Sequence, residues 1–174
     1  MAIYTKKGDR GETSLFLKNK TSKDSARIRA IGAIDETNSY LGVVVSESPE
    51  LKNSLNEIQR NLFVAGSILA GAKLRFSKVK TRKLERVIDR LEGSLPVLKN
   101  FILLGGGKAA AKLFFARALA RRAERAVVRL SQHEKVKPEI LVYLNRLSDY
   151  LFMIAREINF KEGRKEEVWR GSSK

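Results

Sequence analysis

Residues 51–72, LKNSLNEIQRNLFVAGSILAGA, decide the fold. Leu51, Leu55, Ile58, Leu62, Ala65, Leu69 and Ala72 alternate at spacings of four and three. That period keeps one apolar stripe on one side of a helix, as a helix-bundle seam requires. Pro49 opens this helix from a position where its missing N–H does no harm. Upstream, Ser22, Asp24 and Ser25 offer capping oxygens for an earlier helix. Ile28, Ile31, Leu41 and Val45 mark its apolar stripe, with Asp35, Asn38 and Gly42 on the same stripe. Downstream of the seam, a basic linker from Lys73 to Lys80 leads to a third helix over about Thr81 to Leu91, with Leu84, Val87, Ile88 and Leu91 inward and Pro96 just beyond it. The apolar run Phe101-Ile102-Leu103-Leu104 ends at Gly105-Gly106-Gly107. A long helix is expected from about Lys108 to Glu134, and a last one from Pro138 to about Phe160. No strand alternation and no repeat of 20–50 residues stands out. The expected fold is all-α: a single domain over 1–174, with an N-terminal loop (1–21), a five-helix bundle (22–160) and a polar tail (161–174).

Composition narrows the chemistry. The 174 residues include no Cys and one His, which excludes disulfide frameworks, thiolate chemistry and multi-His metal sites. The hydrophobic share of 43% is too high for a disordered basic tail. No apolar run reaches the roughly 18 residues a membrane span needs, and residues 1–23 lack a secretory apolar core. A soluble cytoplasmic protein is the expectation. Thirty-five Lys and Arg face nineteen Asp and Glu, a formal charge of +16. Something anionic is therefore expected to bind, whether nucleic acid, lipid surface or nucleotide phosphate.

Several residues stand out. Arg117, Arg121 and Arg125 recur every fourth position on the fourth helix, so their guanidinium groups form one stripe, with Arg122, Glu124 and Arg129 nearby. Two readings fit: a solvated, salt-bridged helix face, or a clamp in which planar guanidinium forks grip phosphate oxygens. Asp35, on an apolar stripe, needs a cationic partner, which an Arg on a neighbouring helix could supply. Asn145 borders the inner face of the last helix, either as a surface amide or as a ligand for a metal-bound or phosphate oxygen. Phe101 reads by default as a core aromatic, and His133 as a surface residue. Gly105-Gly106-Gly107-Lys108 is not a P-loop, because Ile102 and Ala109 stand where Gly and Ser/Thr are needed.

Taken together, Ile3-Tyr4-Thr5-Lys6-Lys7-Gly8-Asp9-Arg10-Gly11-Glu12-Thr13-Ser14-Leu15, Ser22-Lys23-Asp24 and Ile34-Asp35-Glu36-Thr37-Asn38-Ser39 resemble one family. So do Phe101-Ile102-Leu103 with its Gly triplet, Ala116-Arg117 through Arg125, and Tyr143 to Phe152. The family is the trimeric, helical-bundle ATP:cob(I)alamin adenosyltransferases of the propanediol-utilisation type. The resemblance covers nearly the whole chain, in order. Lys7, Leu104, Phe114 and Ala120 depart from its usual Thr, Pro, His and Cys.

The resemblance implies a homotrimer with active sites between subunits. There the 5′-deoxyadenosyl group of ATP passes to the cobalt of cob(I)alamin, triphosphate leaves, and Mg²⁺ is required, with no side chain assigned to the metal. It implies that Thr5, Lys6, Lys7, Gly8, Thr13, Ser14 and Lys23 hold ATP from one subunit. Arg121, Arg122, Glu124, Arg125 and Asn145 complete the site from the other. Asp35 and Arg117 match an ion pair, so Asp35, Arg117, Arg121 and Asn145 are the expected catalytic set. Phe101 matches the aromatic beneath the corrin. A cob(II)alamin reductase and an adenosylcobalamin-dependent mutase are the implied partners. Two other readings are a basic helical nucleic-acid-binding protein and a non-catalytic adenosylcobalamin carrier. Sparse aromatics among the basic residues disfavour the first, and an intact N-terminal loop the second.

Overall fold

The structure, a computed structural model, describes residues 3, 4, 6, 8–16 and 20–171. Two short strands, β1 (Glu12–Ser14) and β2 (Lys20–Ser22), form an antiparallel hairpin ahead of five helices. These are α1 (Ala26–Glu47), α2 (Lys52–Leu69), α3 (Val79–Ser94), α4 (Lys108–Ser131) and α5 (Pro138–Lys161). α4 packs against α1 and α5, α2 packs against α1, and α3 packs against α5.

The chain ends its helices where local chemistry dictates. Ser25 caps α1, its hydroxyl accepting from the Ile28 N–H at 3.4 Å. Pro49 opens a single 3₁₀ turn, Pro49–Leu51, before α2 begins. α5 stops because Gly163 takes φ +68°, which a side chain disfavours. The Gly163 N–H then donates to the Phe160 carbonyl at 3.0 Å, and the Arg164 N–H to that of Asn159 at 2.8 Å. This turn sends the tail back along the bundle.

The α2 seam is buried from Leu55 through Ile58, Leu62 and Ala65 to Leu69. With Leu41, Leu113, Leu130, Tyr143, Leu144, Leu147 and Leu151 it forms the core. Tyr143 is wholly buried and accepts from Asn61 Nδ2 at 3.2 Å, while Asn61 Oδ1 takes the Lys80 ammonium. That network ties α2, α3 and α5 together, and burial pushes the Tyr143 phenol above its ordinary range.

Two expectations need correction. The N-terminal segment is not all loop, since it contains the hairpin. On α1 the buried positions are Ala30, Ile34, Thr37, Leu41 and Val44, not a stripe through Asp35. These five also alternate four and three, and Thr37 can enter the core because its hydroxyl donates to the Ala33 carbonyl at 2.9 Å. One residue past Ile34, Asp35 is rotated about 100° away and is exposed.

Candidate active site

α4 carries the site because of what it buries. Ala110, Leu113, Ala116, Ala120, Ala123, Val127 and Leu130 face inward. The opposite edge is left to Arg121 and Arg125, both exposed, with Arg117 half-buried one turn earlier. Arg122 pairs with Glu36 of α1. Asn145 Nδ2 donates to Glu124 Oε1 at 2.8 Å, joining α5 to α4 beside the stripe. Arg117, Arg121 and Arg125 form no ion pair among the described residues. A salt-bridged helix face thus describes Arg122 but not the other three, which are open to an anion from outside.

Arg117 joins this stripe to a cavity. Its guanidinium stands 5.4 Å from the centre of the Phe152 ring. Burial lowers its pKa, as does the like charge of Arg121, and Asp149 opposes both. Arg117, Asp149 and Phe152 line a cavity of about 1110 Å³ together with Leu98, Phe101, Ile102, Leu104 and Trp169. Phe101 is 82% exposed, so it is a wall of this cavity and not a core aromatic. Phe114 is buried against Phe152, ring centres 5.8 Å apart, and Ala120 is buried on α4.

The remaining expected residues form a second group at the end of the bundle where α1 begins and α2 stops. There the Phe16 N–H donates to the Ala70 carbonyl at 3.1 Å. The Lys23 N–H donates to the Gly11 carbonyl at 2.8 Å, closing the turn that holds Gly8. A Cβ at Gly8 would sit 3.1 Å from the Lys23 ammonium. Thr13 stands opposite Thr21, and Ser14 opposite Lys20. Lys6 precedes them with φ +57°. Thr5 and Lys7 lie outside the described residues.

Among the described residues, no hydrogen bond or ion pair joins this loop group to Arg121, Arg125 or Asn145 within one chain. Nor does Asp35 form an ion pair with Arg117 within one chain. Asp35 instead lines an open groove between α1 and α4, with Tyr40, Val43, Phe115 and Arg125. No group of three Asp, Glu or His side chains able to hold a metal occurs among the described residues.

The profile of the family described as Cobalamin adenosyltransferase matches residues 3–158. The chain belongs to this family. A corrinoid adenosyltransferase from Bacillus subtilis (strain 168) is 42% identical over 173 residues, spanning 94% of this chain and 89% of its own. A phenylalanine-to-histidine variant of a PduO-type ATP:corrinoid adenosyltransferase from Lactobacillus reuteri, complexed with cobalamin and ATP, superposes with a TM-score of 0.94. It is 37% identical and covers 99% of this chain and 98% of its own. An arginine-to-lysine variant from the same organism, complexed with ATP, gives a TM-score of 0.90 at 38% identity, covering 97% of this chain and 100% of its own. Membership in the cobalamin adenosyltransferase family favours the enzyme over the nucleic-acid-binding and carrier readings. No helix among the described residues is long and apolar enough to cross a membrane.

Sequence reasoning missed the cavity's other walls. Phe152 ends the 143–152 motif, and Trp169 is the only Trp in the chain, standing in a polar tail. A large aromatic in such a tail was the available signal.

Proposed function

We propose that this chain transfers the 5′-deoxyadenosyl group of ATP to the cobalt of cob(I)alamin, forming adenosylcobalamin and releasing triphosphate. The observation that carries the reading is the position of Arg117, which both continues the guanidinium stripe and lines the Phe101 cavity. A polyphosphate on Arg121 and Arg125 therefore ends at the mouth of a cavity walled by Phe101, Phe152 and Trp169 and sized for a flat, largely apolar ligand.

The chemistry asks little of the protein beyond placement. The Co(I) electron pair attacks the 5′ carbon, the carbon–oxygen bond breaks, and its pair leaves on triphosphate. The metal centre is already a strong nucleophile, so the protein needs no base to activate one. Its tasks are alignment and stabilisation of charge building on the leaving group. Arg121 and Arg125 supply fixed cationic donors for that charge, and Asn145, held by Glu124, sets the edge of the site. Lys6, Lys7 and Lys23, with Thr5, Gly8, Thr13 and Ser14, cover the nucleotide. Among the described residues no carboxylate cluster is built to hold Mg²⁺, and the ion would arrive with the phosphate oxygens of ATP.

The assembly follows from what one chain leaves apart. Among the described residues the loop group and the arginine group do not meet, and Asp35 and Arg117 each lack an ion-pair partner. The α1–α4 groove presents exposed Val43 and Phe115, with Tyr40 edge-on to Phe115 at 4.9 Å. Covering it with a second copy in a closed trimer brings one subunit's loop to the next subunit's stripe, and Asp35 to Arg117. A cob(II)alamin reductase supplies the reduced corrinoid, an adenosylcobalamin-dependent mutase takes the product, and the cytoplasm, where ATP is plentiful, houses the reaction.

The test is direct. Protein mixed with ATP, Mg²⁺ and chemically reduced cobalamin should convert the cob(I)alamin spectrum to that of adenosylcobalamin, with one triphosphate released per corrin. An unchanged spectrum with no triphosphate would refute the reading.

A further inference from the structure

Arg156 belongs to neither substrate group, yet it is 4% exposed on α5, in the middle of the protein's corrin side. Nε donates to Glu166 Oε1 at 2.5 Å and Nη2 to Glu166 Oε2 at 3.1 Å. Nη2 also donates to the Pro96 carbonyl at 2.7 Å. Glu166 lies in the tail and Pro96 begins the segment that carries Phe101. One buried side chain therefore grips two segments far apart in sequence.

Beyond that grip, the two segments run side by side. The Leu103 N–H donates to the Glu167 carbonyl and the Trp169 N–H to the Phe101 carbonyl, both at 2.8 Å. Ile102 faces Val168 in an antiparallel bridge. The far end of the Phe101 segment is tied to the same helix. Asn159 Oδ1 accepts from the Gly107 N–H at 3.0 Å, and Nδ2 donates to the Gly105 carbonyl at 2.9 Å. Arg156 and Asn159 are three residues apart on one face of α5, which therefore holds both ends of the Phe101 segment, and Arg156 also stands 5.9 Å from the centre of the Phe152 ring.

Arg156 does not line the Phe101 cavity. It lines a separate cavity of about 470 Å³ behind the flap. An aliphatic side chain could fill its place without the cost of desolvating a charge, but it would hold neither Glu166 nor Pro96. What the guanidinium adds is a fixed position for both.

We propose that Arg156 is a positioning residue for the corrinoid. Through Glu166 and Pro96 it fixes the two-segment flap that presents Phe101 and Trp169 to the cavity. This rests on the reading of that cavity as the corrin site.

Glu166 is the safer position to change, because it lies outside every helix. Trp169, the sole Trp, reports tail attachment through its emission, and trypsin cleavage after Arg164 and Lys165 reports it independently. Corrinoid affinity is read by equilibrium dialysis with cob(II)alamin, and the KM for ATP from turnover. In Glu166→Ala, Trp169 emission should shift to the red and trypsin should cut sooner. Cob(II)alamin affinity should fall about tenfold, as loss of preorganisation predicts, with the KM for ATP unchanged. Glu166→Gln keeps one acceptor oxygen and should fall between wild type and Glu166→Ala. Arg156→Lys, which cannot grip both partners at once, should resemble Glu166→Ala. A freed tail with unchanged cob(II)alamin affinity would overturn the proposal. So would a tail still attached in Glu166→Ala, or equal losses for ATP and corrinoid. Wild-type protein that bound no cob(II)alamin would refute the corrin-site reading itself, whereas wild-type binding with insensitive variants refutes only the role of Arg156.

Discussion

Gly106→Ala should be one of the most damaging single-methyl changes in the protein. Gly106 takes φ +106°, a conformation costing a non-Gly residue about 1–3 kcal/mol. The new methyl would also fall inside contact distance of the Asn159 carboxamide, which is buried and cannot swing into solvent freely. Displacing Asn159 strands the Gly107 N–H and the Gly105 carbonyl, at about 1–3 kcal/mol for each buried group left unpaired. These ranges sum to about 3–9 kcal/mol, and because Gly105 is only half-buried a value toward the low end applies, about 4 kcal/mol. With a urea m-value of about 2 kcal/mol/M, the unfolding midpoint should drop by about 2 M at fixed protein concentration. The loss cannot exceed the docking energy of the Phe101 segment. If that segment comes away alone, the midpoint moves less and Trp169 emission shifts instead. The neighbouring residue provides the control: a methyl at Gly105 meets nothing within 4 Å, and its φ is not positive. Gly105→Ala should leave midpoint and emission at wild-type values. If Gly106→Ala also left both unchanged, the account of Asn159 as the clip for this segment would be wrong.

Other outcomes follow from the same geometry. Arg121→Ala removes an exposed guanidinium without an internal partner, so the melting point should hold within about 0.5 kcal/mol of stability while kcat falls at least about a hundredfold. Asn145→Ala should behave likewise, since its one side-chain bond, to Glu124, is exposed. Phe101→Ala should leave urea unfolding unchanged and raise the KM for cobalamin but not for ATP, as measured by initial rates. Asp35→Asn should not destabilise the isolated chain, where Asp35 has no ionic partner among the described residues. It should weaken trimer association by about fivefold per lost pair, read by sedimentation.

Much of this was legible in the sequence, for identifiable reasons. The α2 seam repeats so regularly that its period fixes helix, buried face and neighbour at once. Pro49, Pro138 and Gly163 are local signals that mark ends without tertiary help. α1 was harder, because its buried stripe includes Ala30 and Thr37, one small and one polar. The larger Ile28, Ile31 and Val45 draw the eye to a different register, and Asp35 follows it. The hairpin was invisible because Glu12–Ser14 and Lys20–Ser22 are too short and too polar to show alternation. In the site, the arginine stripe could be read from spacing, but the pairing that separates Arg122 from Arg121 depends on Glu36 of another helix. The flap escaped entirely, since Phe101 and Trp169 lie 68 residues apart and only the fold brings their backbones together.

The central claim is that triphosphate lies between the front loop of one subunit and the arginine stripe of the next. Two inactive variants test it: Lys6→Ala with Lys23→Ala, which spoils only the loop, and Arg121→Ala, which spoils only the stripe. Mixed one to one and reassembled into hybrid trimers, they should regain about one quarter of wild-type turnover, because that fraction of random interfaces joins an intact loop to an intact stripe. Hybrid trimers verified by native mass spectrometry that stay inactive would contradict the shared site.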